Sequence, residues 1–307
     1  EALKSFKVAN GLELNLYASE EQFTELAKPI QINFDNRGRL WAAVTPNYPH
    51  WRPGESKPND KLLIFEDDNG DGKADRVKVF ADGLHVPTGF EFADGGVIVA
   101  NQNQLLFLKD TNSGDSADVR QILLDGFATD DTHHTIGAFE WTAGGQLVLL
   151  QGVGLTTTVE TIHGPVCNHG SCAYIFDPKT HRLERYIDRC FANPWGYVHD
   201  RWGQEFISDG TSAAQVWCTP LTGAQFNGRK GLDVFLKTGF RPAVGNEFIS
   251  SRHFPAEMQG NYLVANVIGF NGIGQFKVRD EGSGFASERI EDLVRSSDPN
   301  CRPLDPQ

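Results

Sequence analysis

Five segments spread along the 307 residues share one shape: FDNRGRLW (34–41), FADGGVIV (92–99), WTAGGQLV (141–148), HDRWGQEF (199–206) and, with a looser start, MQGNYLVAN (258–266). Each places a bulky residue before a short polar turn and a glycine, then continues in alternating strand residues. The glycines fall at 38, 96, 145, 203 and 260, at intervals of 58, 49, 58 and 57 residues. The flanks repeat as well, because KLLIFEDDNGDGKADRVKVFADG aligns with QLLFLKDTNSGDSADVRQILLDG at an offset of 43. A unit of roughly 50 residues with about four turn-linked strands is the size of a β-propeller blade.

Composition supports this reading, since 32 glycines, 15 prolines and 21 phenylalanines beside a single methionine suit short strands and tight turns better than long amphipathic helices. The expected fold is all-β, a β-propeller of six-bladed type forming one domain over residues 1–307. Five blades are complete, and CRPLDPQ (301–307) starts a sixth, so the natural polypeptide is expected to continue. The alternating N-terminal stretch KVANGLELNLYA (7–18) is expected to close an outer edge.

The formal charge of −12 would repel a phosphate backbone, and no basic run with interleaved aromatics occurs. No run of 18 apolar residues exists that would span a membrane as a helix. GxSxG, Walker, HExxH and GxGxxG motifs are all missing from the sequence, which disfavours serine hydrolase, P-loop, zincin and Rossmann readings. Of the five cysteines, Cys167 and Cys172 enclose only NHGS, a spacing that suits a local disulfide or two buried thiols better than a metal site.

The inner strands open through polar or basic residues beside proline or glycine: Lys28-Pro29, His85-Val86-Pro87, His134-Thr135-Ile136-Gly137, Asn193-Pro194-Trp195-Gly196, Arg241-Pro242 and Arg302-Pro303. In a propeller these openings converge on one channel mouth. His134, with Asp130 and Asp131 nearby, is the candidate general base there, because a carboxylate orients one ring nitrogen and leaves the other to accept a proton. Lys28, Arg241 and Arg302 are candidate partners for carboxylates at the same mouth, and Asp209 is expected to orient a neighbour or cap a turn.

The sharpest motif is FEDDNGDGKAD (65–75). Asp67, Asn69, Asp71 and Asp75 stand at positions 1, 3, 5 and 9 of an EF-like loop, with the carbonyl of Lys73 as a further ligand and Gly72 at the sharp turn. Position 12 is Lys78 and not the usual glutamate. The loop reads as a structural Ca2+ site joining two strands, or else as a polar turn. Its repeat partner DTNSGDSAD (110–118) carries Gly114 in place of Asp71 and is expected to bind weakly or not at all.

HHTIGAFEWTAGGQLVLLQG, FANPWGYVHDRWGQEFISDGT, SSRHFPAEMQGNYLVANVIGF and VRSSDPN resemble the propeller domain of planctomycete-type membrane-bound dehydrogenases, large exported proteins that often continue into a cytochrome c domain. More distantly, the chain is similar to soluble quinoprotein glucose and sorbosone dehydrogenases. That resemblance implies a periplasmic or extracellular sugar or polyol dehydrogenase using pyrroloquinoline quinone, with His134 as base, Asn193 of the ANPWG stretch holding the cofactor and a cytochrome c accepting electrons. Ala192 stands where the related motif has arginine, leaving Lys28, Arg241 and Arg302 as the cations that would hold the quinone. The alternative is a non-catalytic propeller that binds glycan or protein at its mouth.

Overall fold

The computed structural model describes residues 2–49, 51–188, 191–218 and 233–307. After a short pairing strand β1 (Phe6–Val8), the chain forms five four-stranded antiparallel blades, each built from its inner strand outwards. Blade 1 is β2 (Pro29–Phe34), β3 (Leu40–Val44), β4 (Asp60–Glu66) and β5 (Arg76–Leu84); blade 2 is β6 (Phe90–Ala93), β7 (Gly96–Asn101), β8 (Gln104–Lys109) and β9 (Val119–Asp125). Blade 3 is β10 (Gly137–Trp141) and β11 (Leu147–Gln151), then an inserted hairpin of β12 (Thr156–Thr161) and β13 (Gly164–His169), then β14 (Cys172–Asp177) and β15 (Arg182–Asp188). Blade 4 is β16 (Pro194–His199), β17 (Glu205–Asp209), β18 (Ala214–Cys218) and β19 (Asp233–Lys237). Blade 5 is β20 (Ala243–Phe248), β21 (Tyr262–Asn266), β22 (Gly272–Glu281) and β23 (Gly284–Arg289), and β24 (Val294–Ser296) joins β22 to β1. Among the described residues there is no α-helix, only two short 3₁₀ turns.

The second and third strands read as unbroken apolar runs, such as LLIF (62–65) and LVLL (147–150), because blades stack on both of their faces and these strands have no wet side. Trp41, Leu62 and Ile64 of blade 1 pack on Phe90, Val97 and Leu106 of blade 2, and equivalent layers join blades 2 and 3, 3 and 4, and 4 and 5. The glycine repeat marks the turn between first and second strands. Gly38, Gly145, Gly203 and Gly260 all have φ of 76–77°, a left-handed conformation that a side chain disfavours. In blade 2 the left-handed residue is Gly95 (φ 72°), preceded by Asp94 at 46°, so this hairpin closes through a two-residue Asp-Gly turn. The structural repeat therefore runs through Gly95, one residue before the glycine aligned by sequence.

Among the described residues the five complete blades expected are present, but residues 301–307 add no strand of a sixth, and the seam between blades 5 and 1 is closed in two other ways. On the inside, the Gly245 N–H donates to the Leu304 carbonyl at 2.8 Å and the Ile32 N–H donates to Asp305 Oδ2 at 2.8 Å, so residues 304–305 bridge β20 and β2. On the outside, β1 pairs with β24, after which the chain packs Tyr17 and Phe23 onto blade 1. Of the N-terminal stretch 7–18, only Lys7 and Val8 belong to the edge strand β1.

A Cβ on Gly245 would stand 2.5 Å from the Leu304 carbonyl oxygen and 2.6 Å from Pro306 Cδ. Gly245→Ala is expected to cost roughly 1–3 kcal/mol by overpacking the seam, read as a lower Tm, whereas an unshifted melt would show that the tail is not wedged there. Cys167, Cys172, Cys218 and Cys301 are free thiols, so the local Cys167–Cys172 disulfide is not formed; Cys190 lies outside the described residues.

Candidate functional site

The inner strands surround a central cavity of about 160 Å³. Its mouth carries Tyr48, Thr132, His133 and Trp195, and deeper on its wall stand Glu140, Asn246, Glu247 and Asp305. The expected convergence of strand openings is thus partly realised: blades 2, 3 and 4 bring Val86, Thr88, Thr135, Pro194 and Trp195 to the cavity. The three basic candidates lie elsewhere. Lys28 Nζ donates to the Pro46 and Tyr48 carbonyls at 3.1 and 2.7 Å, so it staples the loop that presents Tyr48. Arg241 and Arg302 are exposed and do not line the cavity.

His134 sits behind the mouth and not on the cavity wall, whereas the adjacent His133 faces it and packs edge-on against Tyr48 with ring centroids 5.5 Å apart. The His134 ring is held by Val153: Nδ1 lies 2.8 Å from the Val153 carbonyl, with Asp131 Oδ2 at 3.3 Å. A carbonyl can only accept, so Nδ1 carries the hydrogen of this bond, which in a neutral ring leaves Nε2 as the acceptor. The Gly152 N–H donates to the His134 carbonyl at 2.9 Å, and a Cβ at Gly152 would meet the His134 ring at 2.7 Å. Val153 N–H also donates to the Ala192 carbonyl at 3.0 Å, so the histidine and the ANPWG loop are joined through one residue.

Asp209 fixes that loop from below. Its Oδ1 accepts from the Ala192 and Asn193 N–H groups at 3.0 and 3.1 Å, and its Oδ2 accepts from Ser212 Oγ at 2.6 Å, so it caps the turn. Asn193 is partly buried, and its Oδ1 is buried without a partner. The indole Nε1 of Trp195, two residues on, is likewise unpartnered.

Acids on the inner strands form a pattern that sequence reading missed, and two of them, Glu140 and Glu247, line the cavity. By register, Asn33 pairs with Trp41, Glu91 with Ile98, Glu140 with Val148, Val198 with Phe206 and Glu247 with Leu263. Each partner stands three residues past its turn glycine, so the five occupy one level of the channel. The available signal was a charged residue inside an aromatic strand, as in FEF (90–92), FEW (139–141) and NEF (246–248), at equivalent points of three repeats. Burial, with smaller contributions from the other acids, pushes Glu91 up to about 9, Glu140 to about 7 and Glu247 to about 8. Burial likewise raises Asp305 to about 7.

The FEDDNGDGKAD loop lies on the rim of blade 1, between β4 and β5. Its oxygens are turned to its own amides: Asp67 accepts from Gly70 N–H at 2.7 Å and Gly72 N–H at 2.8 Å, Asn69 from Asp71 N–H at 2.8 Å, Asp71 from Lys73 N–H at 3.0 Å and Asp75 from Asp68 N–H at 2.8 Å. Slight desolvation would raise the Asp67 carboxyl, but the amides of Gly72, Gly70 and Asp71 outweigh it and hold the group below its ordinary value. The copy at 110–118 repeats these bonds 43 residues on, with Asp110 accepting from Asp115 N–H and Asp118 from Thr111 N–H. Left-handed Gly70 and Gly72 are matched there by Ser113 and Asp115.

A loop lacking the third calcium ligand thus folds the same way, so the geometry is that of a hairpin turn closed by Asx bonds. Among the described residues no group of three or more His, Cys, Asp or Glu side chains is placed to hold a metal ion. The side-chain oxygens of the expected cation site, Asp67, Asn69, Asp71 and Asp75, with the Lys73 carbonyl as its further ligand, are thus taken up in the turn and not gathered as a ligand set in this structure. Melting with EGTA and with added CaCl2 is expected to give one Tm; a rise of several degrees with CaCl2 would restore the calcium reading.

Position 12 has a different task. Lys78 Nζ reaches Asp115 Oδ2 at 2.5 Å and Glu66 at 3.1 Å, and Arg39 pairs with Asp35, Glu66 and Asp115 at 2.8, 3.2 and 2.8 Å. The residue that departs from the calcium pattern therefore ties blade 1 to blade 2.

The quinone implied by resemblance carries carboxylates that need cationic partners. Among the described residues no lysine or arginine lines the cavity, and three of the lining side chains are acids. These residues do not fit a tricarboxylate.

The fold is shared with known propellers. A protein from Thermus thermophilus described as an oxidoreductase (glucose dehydrogenase) is 17% identical, with 92% of this chain and 88% of that chain covered at a TM-score of 0.60. The holo PQQ domain of pyranose dehydrogenase from Coprinopsis cinerea is 12% identical over 98% of this chain and 91% of that one, TM-score 0.59. The PQQ-bound aldose sugar dehydrogenase from Streptomyces coelicolor is 12% identical over 94% and 85%, TM-score 0.55. At these identities the likeness concerns the fold. No curated protein matches the sequence. The family described as "Domain of unknown function (DUF7133)" matches residues 1–230, three quarters of the length, and the chain belongs to that family.

Proposed function

We propose that the chain is a ligand-binding propeller that takes a small polyhydroxylated molecule, of the carbohydrate class, into its central cavity. The observation that carries this reading is the lining itself. Tyr48 and Trp195 present aromatic surface at the mouth, polar side chains stand below them, and no lysine or arginine is among the described lining residues. Aromatic walls with a few placed polar groups are the usual means of holding a neutral sugar-sized ligand. The three solved relatives named above, each described as a glucose, pyranose or aldose sugar dehydrogenase, support the ligand class.

A second reading, oxidation of a sugar hydroxyl, is favoured by one feature: Val153 fixes the orientation of the His134 ring just behind the mouth. One experiment separates the two. Monosaccharide titration should quench the fluorescence of Trp195, with the quench diminished in Trp195→Phe. In parallel, the chain with added pyrroloquinoline quinone and Ca2+ should reduce no dye with any aldose. Dye reduction that disappears in His134→Ala would overturn the binding-only reading, and no quench by any sugar would remove the carbohydrate class.

A further inference from the structure

We infer that the cavity selects a sugar-sized organic cation, a protonated amine on a polyhydroxylated body, which Glu140, Glu247 and Asp305 hold from three sides. This rests on the carbohydrate-binding reading above and narrows it to amino sugars.

The simplest account of these acids is that they satisfy the free edge of the inner strands. Glu140 Oε1 accepts the Trp141 N–H at 3.1 Å, Glu247 Oε1 accepts the Phe248 N–H at 2.6 Å and Asp305 Oδ2 accepts the Ile32 N–H at 2.8 Å. Asn33 shows that this duty needs no charge. At the same level of blade 1 its Oδ1 accepts the Phe34 N–H at 2.7 Å with a neutral amide. Glutamates at the matching positions of blades 3 and 5, each only partly exposed, set a carboxyl on the cavity wall for a task that an amide performs. Capping therefore does not explain the acids, and a cationic ligand does.

An independent feature points the same way. Asn246 is only 5% exposed and lines the cavity beside Glu247, and its Oδ1 has no hydrogen-bond partner although its Nδ2 donates to Tyr262. Gly196, another wall residue, packs closely against that oxygen, and a Cβ there would stand 1.9 Å from it. A buried acceptor without a donor is costly unless something supplies the donor, and an ammonium has three hydrogens to give and none to receive. The Tyr48 and Trp195 rings add faces that attract a cation.

The carboxylates do not gather about one point, since no group of three acidic, His or Cys side chains among the described residues is placed for a metal ion. Acids spread around a cavity suit a cation with a body. Each is ionised more readily when the ligand's charge is present, so binding expels protons. Of the other titratable groups, His133 and Tyr48 line the mouth, while Glu91 is not part of the lining and interacts through space with Glu140 and Asp305.

The test is isothermal titration of the full chain at pH 7 with glucosamine, glucose and N-acetylglucosamine, each in two buffers of different ionisation enthalpy. Glucosamine should bind at least about tenfold tighter than the other two and be the one that releases protons. In the paired variant Glu140→Gln/Glu247→Gln, which keeps the amide-type cap shown by Asn33 and whose Tm reports its folding, that preference should fall to near unity. Equal binding of glucose and glucosamine overturns the inference while leaving the carbohydrate reading standing. A preference untouched in the paired variant overturns the assigned site. Failure of all three sugars to bind sinks both. Tighter binding of CaCl2 than of glucosamine, lost in the paired variant, would replace the amine by a metal ion.

Discussion

Thermal stability is expected to fall as pH rises from about 5 to 9, and Glu91→Gln is expected to remove much of that fall. In the unfolded chain a glutamate titrates near 4.3, whereas in the fold burial, reinforced by Glu140 and Asp305, pushes Glu91 up to about 9. Between these values the native state holds a proton that the unfolded state has released. Linkage then makes the contribution of Glu91 complete below about pH 4.3 and lost as pH climbs through the folded value. Glu247, at about 8, and Glu140 and Asp305, at about 7, add slopes of the same sign.

At roughly 1.4 kcal/mol per pKa unit, and allowing for relaxation around a buried acid, Glu91 alone is worth a few kcal/mol between pH 5 and 9. Glutamine reproduces the neutral form and keeps an acceptor for Asn33 Nδ2, which donates to Glu91 at 2.9 Å. The variant should match the wild type near pH 5 and melt several degrees higher at pH 9. Parallel melting curves for the two proteins would show that Glu91 does not carry the proton.

Arg39→Ala is expected to destabilise the fold by about 3 kcal/mol, the range found when one member of a largely buried ion pair is removed. The Arg39 side chain is 15% exposed and stands among Asp35, Glu66 and Asp115, which are 9%, 12% and 20% exposed. Burial by itself would raise the Glu66 and Asp115 carboxyls, but hydrogen bonds from Lys78 and Arg39 hold both below the ordinary range. Removing the guanidinium leaves three carboxylates close together with Lys78 and, on Glu66, Arg76 as the remaining counter-charges, and the blade 1 to blade 2 contact should loosen. These depressed groups stabilise above about pH 4 and lose that contribution as pH falls through their folded values, so the acid limb of the stability curve should flatten in the variant. Chemical denaturation at pH 7 measures the loss. A change below about 0.5 kcal/mol would place this cluster with ordinary surface pairs.

The repeat alone determined the blade. A hairpin turn that needs a left-handed residue, followed by a strand with no wet face, leaves glycine and an apolar run in every copy, and both are local demands written in consecutive residues. The Asx pattern of residues 67–75 was legible for the same reason, and in the fold its oxygens accept from the loop's own amides, because alternating side-chain oxygens also close a turn. The tertiary structure decided the rest. Closure of the seam through Gly245, Leu304 and Asp305 depends on segments far apart in sequence, and no repeat encodes it. Lys28, Arg241 and Arg302 belong to the strand openings in sequence, yet a side chain's direction depends on which carbonyls or solvent it meets, and none of the three reaches the cavity. Glu140, Glu247 and Asp305 face one space only because three inner elements are brought round a common axis. Their charge is costly there for want of water, a property of the assembled ring that no single strand possesses.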